Sequence, residues 1–168
     1  MSVPLLAIAA WSGTGKTTLL QQVIPLLKAR GIRTGLIKHT HHKMDIDTPG
    51  KDSYLLRKAG ADQVIVASNQ RWALMCETPD QPLNLAELAA QMDSSALDLV
   101  LVEGFKDEPV PKIVLWRRDI KGEVEDLMDE YVIALASDEK PSINTPLLDI
   151  NQPVNVADFI ENWLNTSR

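Results

Sequence analysis

Holding the phosphates of a nucleotide takes inward-turned backbone amides, a well-placed cation and an oxygen ligand for Mg²⁺. The segment Ser12-Gly13-Thr14-Gly15-Lys16-Thr17-Thr18 supplies all three. Gly13 and Gly15 let the chain turn its amides around an anion, Lys16 can neutralise terminal phosphate oxygens, and the Thr17 hydroxyl can bind Mg²⁺. Apolar residues at Leu19, Leu20, Val23, Ile24 and Leu27 predict a helix starting here, whose N-terminus adds partial positive charge. The usual pattern has a glycine five residues before Gly15, where this chain has Ala10. That position lies where strand becomes loop, remote from the amides that cradle the β-phosphate. Alanine costs little there while φ stays negative.

A phosphate loop needs an acidic partner at the end of a neighbouring strand, to hold Mg²⁺ directly or through water. The run Leu97-Asp98-Leu99-Val100-Leu101-Val102-Glu103-Gly104 offers two acids. Five residues of strand set them about 17 Å apart, so only one can lie beside the phosphates. Ligands gather outside the carboxyl ends of parallel strands, which selects Glu103. Asp98 falls at the opposite edge and reads as a surface residue starting the strand. Gly104 permits close backbone approach next to the site.

All three histidines lie in KHTHHKMDIDTPGKDS, after the strand TGLIK. With Asp45 and Asp47 they resemble a metal cluster, but the spacing matches no standard zinc pattern. The loop leaves the carboxyl end of a strand, where switch segments contact Mg²⁺ and a terminal phosphate. A phosphate-contacting loop is therefore the favoured reading, ahead of a partner-facing surface and a transition-metal site. Lys38 ends the strand and is expected to reach phosphate; Asp52 is expected to complete the Mg²⁺ sphere through water.

The elements that must position these residues alternate along the chain. Strands are predicted for VPLLAIA, TGLIK, DQVIVAS, RWALMC, LDLVLVE, KIVLW and YVIALAS. Several are apolar without alternation, as expected of strands covered on both faces. Helices are predicted after Gly15, around KDSYLLRKAG, in LNLAELAAQM and in VADFIENWLN. This is the pattern of an α/β protein, a three-layer P-loop NTPase fold in one domain over residues 1–168. Only Asn69 and Gln70 separate DQVIVAS from RWALMC, too few for a parallel crossover. An antiparallel hairpin and a mixed, mainly parallel sheet are expected. Pro25 should kink or divide the first helix. The charged stretch from Arg117 to Glu130 reads as an irregular excursion between strands.

Bulk composition narrows the function classes. The chain has 168 residues, 45% of them apolar and 24% charged, which suits a globular domain rather than a disordered one. Its net charge of -6 argues against a nucleic-acid binder, whose affinity rests on many phosphate contacts from Lys and Arg. The single cysteine, Cys76, excludes an internal disulfide or a cysteine-rich zinc site and suits a reducing compartment. No apolar stretch approaches a membrane span, and MSVPLLAIAAW lacks the basic leader of a signal peptide. A cytoplasmic location is expected.

With AWSGTGKTTLL, GLIKHTHH, the run from Asp47 through GKDSY to RKAGA, ASNQRWALM and DLVLVEGFK in place, the chain resembles the MobB family. These are molybdopterin-guanine dinucleotide biosynthesis adapter proteins, and the likeness runs through nearly the whole chain. It implies a homodimer that binds GTP with Mg²⁺ and hydrolyses it weakly. It also implies work beside the guanylyltransferase and other molybdenum cofactor proteins, with molybdopterin a further candidate ligand. The family's phosphate loop maps onto Ser12 to Thr18. The broader group, similar to dethiobiotin synthetase in its VEG motif, supports Glu103 as the acid on the Mg²⁺ side and Asp52 as a second one.

The competing class is a small-molecule kinase, or an ATP-dependent synthetase of the dethiobiotin synthetase type, with Arg117 and Arg118 as a lid on transferred phosphate. Rapid γ-phosphate transfer to a small acceptor would mark it. For base choice, YVIALAS ends in Ser137-Asp138-Glu139, placing Asp138 where guanine-selecting proteins keep an aspartate. The Asn-Lys pair that normally precedes such an aspartate is missing. The apolar hairpin strands, with Trp72 and Trp116 in the pattern, point to a homodimer that covers or extends the sheet.

Overall fold

Strands that read as unbroken apolar runs become the centre of a sheet covered on both sides. The computed structural model describes residues 3–40, 44–78 and 82–167. Its elements are β1 (Leu5–Ala10), α1 (Lys16–Ala29), β2 (Thr34–Lys38), α2 (Asp52–Lys58), β3 (Gln63–Ala67), β4 (Trp72–Cys76) and α3 (Leu85–Ala90). They continue with β5 (Leu99–Glu103), β6 (Lys112–Trp116), β7 (Val132–Ser137), β8 (Leu147–Asp149) and α4 (Pro153–Ser167). The chain falls into two compact units, Met1–His39 with Asn84–Arg168, and Thr40–Leu83.

The larger unit holds a six-stranded sheet in the order β2-β5-β1-β6-β7-β8, with every pair parallel. Alternate residues of each strand face opposite layers. Leu6 and Ile8 of β1, with Leu101 and Ile113, pack against Leu20, Val23 and Leu27 of α1 and Val156 and Ile160 of α4. On the other face Ala7, Val100 and Val102 meet Leu85 of α3 and Phe105. Farther along that face, Ala9, Val114 and Leu135 meet Val124 and Leu127 from the segment after β6. All five residues of β5 are buried, which is why the run shows no polar alternation. The three-layer α/β expectation holds.

Three details differ from the sequence expectation. The antiparallel hairpin forms, with Ala67 opposite Trp72 and Gln63 opposite Cys76, but as a separate two-stranded ladder in the smaller unit. Antiparallel pairing thus stays outside the main sheet, because β2 is flanked only by β5. Pro25 does not divide α1, which runs unbroken over 14 residues. Pro25 and Gln21 lie on the exposed face, so the carbonyl deprived of its N–H partner is open to water, while Leu20, Val23 and Leu27 stay buried. Finally, β8 was not anticipated: Leu147 and Leu148 are too short a run, after a turn-rich stretch, to stand out as a strand.

Candidate functional site

The phosphate loop bridges β1 and α1. Gly13 and Gly15 have φ of +83° and +96°, a region L side chains rarely adopt. Thr14 between them is buried, its hydroxyl donating to Trp11 O at 2.8 Å while its amide points to the same oxygen. Gly15 is the N-cap of α1, and its carbonyl accepts from Leu19 N at 2.9 Å. No side chain caps this helix, so its first amides remain available to a ligand. Ser12, Gly13, Thr17 and Thr18 are exposed around it.

Strand order brings the charges together. Glu103 ends β5, with Lys38 of β2 in register on one side and Ile8 of β1 on the other. The glutamate is 9% exposed and receives two cations: Lys16 Nζ at 3.5 Å and Lys38 Nζ at 3.4 Å, both on Oε1. One carboxylate cannot neutralise two ammonium groups, so about one unit of positive charge remains beside the uncapped helix end. That suits an anion. The Thr17 hydroxyl and the Glu103 carboxylate are hard oxygen donors of the kind Mg²⁺ accepts alongside phosphate.

Gly104, with φ of +96°, makes this edge possible. A Cβ there would stand 2.7 Å from His39 O, and His39 N donates to Glu103 O at 2.8 Å. The His39 ring stacks on Phe105 with centroids 5.0 Å apart. Backbone and rings thus clamp the ends of β2 and β5 together, setting where Lys38 and Glu103 stand.

The excursion after β6 braces the loop, which sequence reading did not anticipate. Arg117 Nε donates to Thr14 O at 3.1 Å, and its Nη1 to Asn151 Oδ1 at 2.9 Å. Trp11 Nε1 donates to Glu123 O and Trp116 Nε1 to Gly122 O, each at 3.1 Å. Gly122 has φ of +122°, and a Cβ on it would lie 2.6 Å from the Trp11 ring. Only glycine admits the indole so closely. The signal available in the sequence was two tryptophans and a lone glycine, and nothing local pairs them.

Beside the loop lies a cavity of about 330 Å³, lined by Gly13, Thr18 and Gln22 on one side and Arg117, Asn151 and Pro153 on the other. Asp138 follows β7 and accepts from Arg118 N at 3.1 Å, with Arg117 Nη1 3.8 Å from its second oxygen. Arg118 pairs with Glu139 at 2.7 Å, so the two arginines face different partners. Asp98 takes Arg33 Nε at 2.9 Å and Arg33 N at the same distance, at the opposite edge of the sheet from Glu103. Asp98 thus stands immediately before β5, paired with Arg33 and remote from Glu103.

In the smaller unit, Asp52 is exposed at the start of α2. His41, His42 and Lys43 lie outside the described residues. The two acids of the histidine loop are engaged by Arg57. Its guanidinium meets Asp45, Asp47 and Glu77, each at 2.7 Å, and lies over the Tyr54 ring. These hydrogen bonds, Asp47's first, push Arg57 farther above its ordinary range, and Arg57 in turn holds the Asp47 carboxyl below the usual carboxylate value. Among the described residues no group of three His, Cys, Asp or Glu is placed to hold a metal ion.

Comparison with known proteins bears on the whole chain. The family described as MobB, Molybdopterin guanine dinucleotide synthesis protein B, matches residues 5–138. A molybdopterin-guanine dinucleotide biosynthesis adapter protein of Escherichia coli (strain K12) is 62% identical over 164 residues, 96% of this chain and 94% of that protein. One of the same name from Haemophilus influenzae is 52% identical over 163 residues, 97% of this chain and 90% of that protein. A crystal structure of molybdopterin-guanine biosynthesis protein B superimposes with a TM-score of 0.78 at 27% identity, covering 96% of this chain and 99% of that one. The fold shared with it is α/β and P-loop NTPase-like.

Proposed function

This chain belongs to the MobB family, and from that premise we propose that it is a GTP-binding adapter in molybdopterin-guanine dinucleotide biosynthesis, assisting the guanylyltransferase step. The observation that carries the nucleotide part is the convergence of Lys16 and Lys38 on Glu103 beside an uncapped helix N-terminus. A bound triphosphate would take up Lys16 and Lys38 through its oxygens, and Thr17 and Glu103 would hold Mg²⁺ beside it, with Asp52 proposed as a second acid. Residues Ser12 to Thr18 cradle the phosphates, and Asp138 accepts from the N1–H edge of guanine.

Hydrolysis is slow in this reading, because no glutamine or arginine is assigned to orient water. The working unit is a homodimer, since Ile65, Trp72 and Leu74 leave one side of the hairpin apolar and exposed. Its partners are the guanylyltransferase and other molybdenum cofactor proteins, with molybdopterin a candidate ligand, in the cytoplasm. Among the described residues no helix is long and apolar enough to cross a membrane.

Calorimetry with GTP and Mg²⁺ tests the site. Lys16→Ala should weaken binding by about tenfold to a hundredfold, the value of a charge-assisted hydrogen bond. Glu103→Gln should remove the Mg²⁺ dependence, and Asp98→Asn should leave affinity within about twofold. Unchanged binding in Lys16→Ala removes the nucleotide reading; a reversed order of the two acids removes the metal assignment.

A further inference from the structure

We propose that Arg117 reads the O6 and N7 edge of a guanine base held in the cavity beside the phosphate loop, and so sets purine choice. The inference rests on the nucleotide reading above and names a residue and a base edge that the reading leaves open.

Three observations carry it. The cavity adjoins the phosphate loop directly, sharing Gly13 and Thr18 with it, and its volume of about 330 Å³ suits a small-molecule site. A nucleoside attached to phosphates in the loop must lie within reach of those residues. Next, Arg117 is held from two sides, by Thr14 O through Nε and by Asn151 Oδ1 through Nη1. The guanidinium plane is therefore set before any ligand arrives, which lowers the ordering cost of binding.

Its remaining donors are the third observation. A guanidinium has five N–H groups, and the two bonds to Thr14 and Asn151 leave three. The nearest carboxylate, Asp138, is 3.8 Å away and already accepts from Arg118 N. Among the described residues Arg117 is thus a cation with spare donors on the wall of a cavity.

Base chemistry then decides what those donors prefer. Guanine presents two adjacent acceptors, O6 and N7, which a guanidinium matches with two parallel N–H groups. Adenine presents N7 beside an N6 amine, so one donor would face another. The amides of Gln22 and Asn151 each offer a donor and an acceptor and can suit either purine. Discrimination falls to the arginine. Asp138, as proposed above, addresses the N1–H edge, so the two assignments separate at N7.

The experiment compares GTP, ATP and 7-deaza-GTP, which lacks only the N7 acceptor, by calorimetry on the full chain with Mg²⁺. Wild type should bind GTP about tenfold more tightly than ATP, with 7-deaza-GTP in between. In Arg117→Met, 7-deaza-GTP should match GTP and the gap to ATP should shrink. If Arg117 only braces the loop, all three affinities fall by one factor and their ratios stand, which overturns the proposal. Arg117→Lys, which keeps the charge without the fork, guards against misfolding of the methionine variant and should also erase the N7 effect. Persistence of that effect in either folded variant overturns the proposal. Equal binding of GTP and ATP by wild type removes this inference together with the guanine role of Asp138 but leaves triphosphate binding in place; failure to bind any triphosphate removes the nucleotide reading as well.

Discussion

The two units of this chain are held together by different physics. In the larger one, buried aliphatic side chains line both faces of a parallel sheet, and Leu99, Leu101, Ile113 and Leu115 are all 0% exposed. In Thr40–Leu83, Met75 is the only buried hydrophobic residue among those described, and the most conspicuous buried side chain is the charged Arg57. A two-stranded ladder with one short helix has little apolar area to bury, and hairpins of that size are marginal on their own. Arg57 supplies what packing does not, tying Asp45 and Asp47 before α2 to Glu77 after β4. Meanwhile Met44, Ile46, Leu55, Leu56, Ile65 and Trp72 stay exposed. A core of aliphatics gives a rigid frame for a binding edge, whereas a polar clamp with uncovered apolar neighbours suits a surface that another chain completes.

The largest effect should come from cutting the aliphatic frame. Leu101→Ala removes a fully buried side chain from the middle of β5 and should cost about 2–5 kcal/mol in denaturant unfolding. A cost below about 1 kcal/mol would mean that the sheet tolerates a cavity beside Glu103, and the contrast between the units would weaken.

Arg57→Met should act next most strongly, and locally. It leaves three carboxylates facing one another and should lower hydrogen-exchange protection in β3 and β4 by about tenfold or more while β5 keeps its own. Light scattering should find wild type at twice 18.6 kDa and the variant shifted toward a single chain. A wild-type monomer would sink the homodimer, and equal loss of protection in β5 would make the two units one cooperative body.

The smallest effect is that of acid. Arg57 holds the Asp47 carboxyl below its ordinary 3.8, and a depressed folded pKa stabilises the ionised form. The contribution is complete above the unfolded value and is lost as pH falls through the folded one. Protection in the smaller unit, measured against the intrinsic exchange rate at each pH, should therefore fall below about pH 4 in wild type. Asp47→Asn, less protected at neutral pH, should show less of that acid step. An equal step in both would remove Asp47 as its source.

Much of the site was legible before the fold was known. GTGKTT after an apolar run and before a helical pattern predicts a glycine turn between strand and helix, because its signal is local and contiguous, and Gly13 and Gly15 take positive φ there before α1. The choice of Glu103 over Asp98 followed from strand direction and length alone, and Glu103 lies beside Lys16 while Asp98 meets Arg33. Less was legible where partners are distant in sequence. The stretch from Arg117 reads in sequence as an irregular excursion between strands, yet Arg117 and Glu123 contact Thr14 and Trp11 across more than a hundred residues. The hairpin was recognised from its two-residue turn, but its separation from the main sheet was not, since pairing preferences in a short strand do not say which edge it joins.

By itself, then, the sequence determined the local chemistry: glycines that accept positive φ, a lysine and threonine at fixed offsets, and apolar runs whose spacing separates strand from helix. Tertiary structure alone decided that β5 lies between β1 and β2, which is what puts Lys16 and Lys38 on the same carboxylate. It also decided that Gly122 faces the Trp11 ring and that Arg117 stands between the phosphate loop and Asn151. The physical reason is range: backbone conformation responds to neighbours a few residues away, whereas a charge pair or a ring contact exists only after strand order has been chosen by burial of the whole sheet.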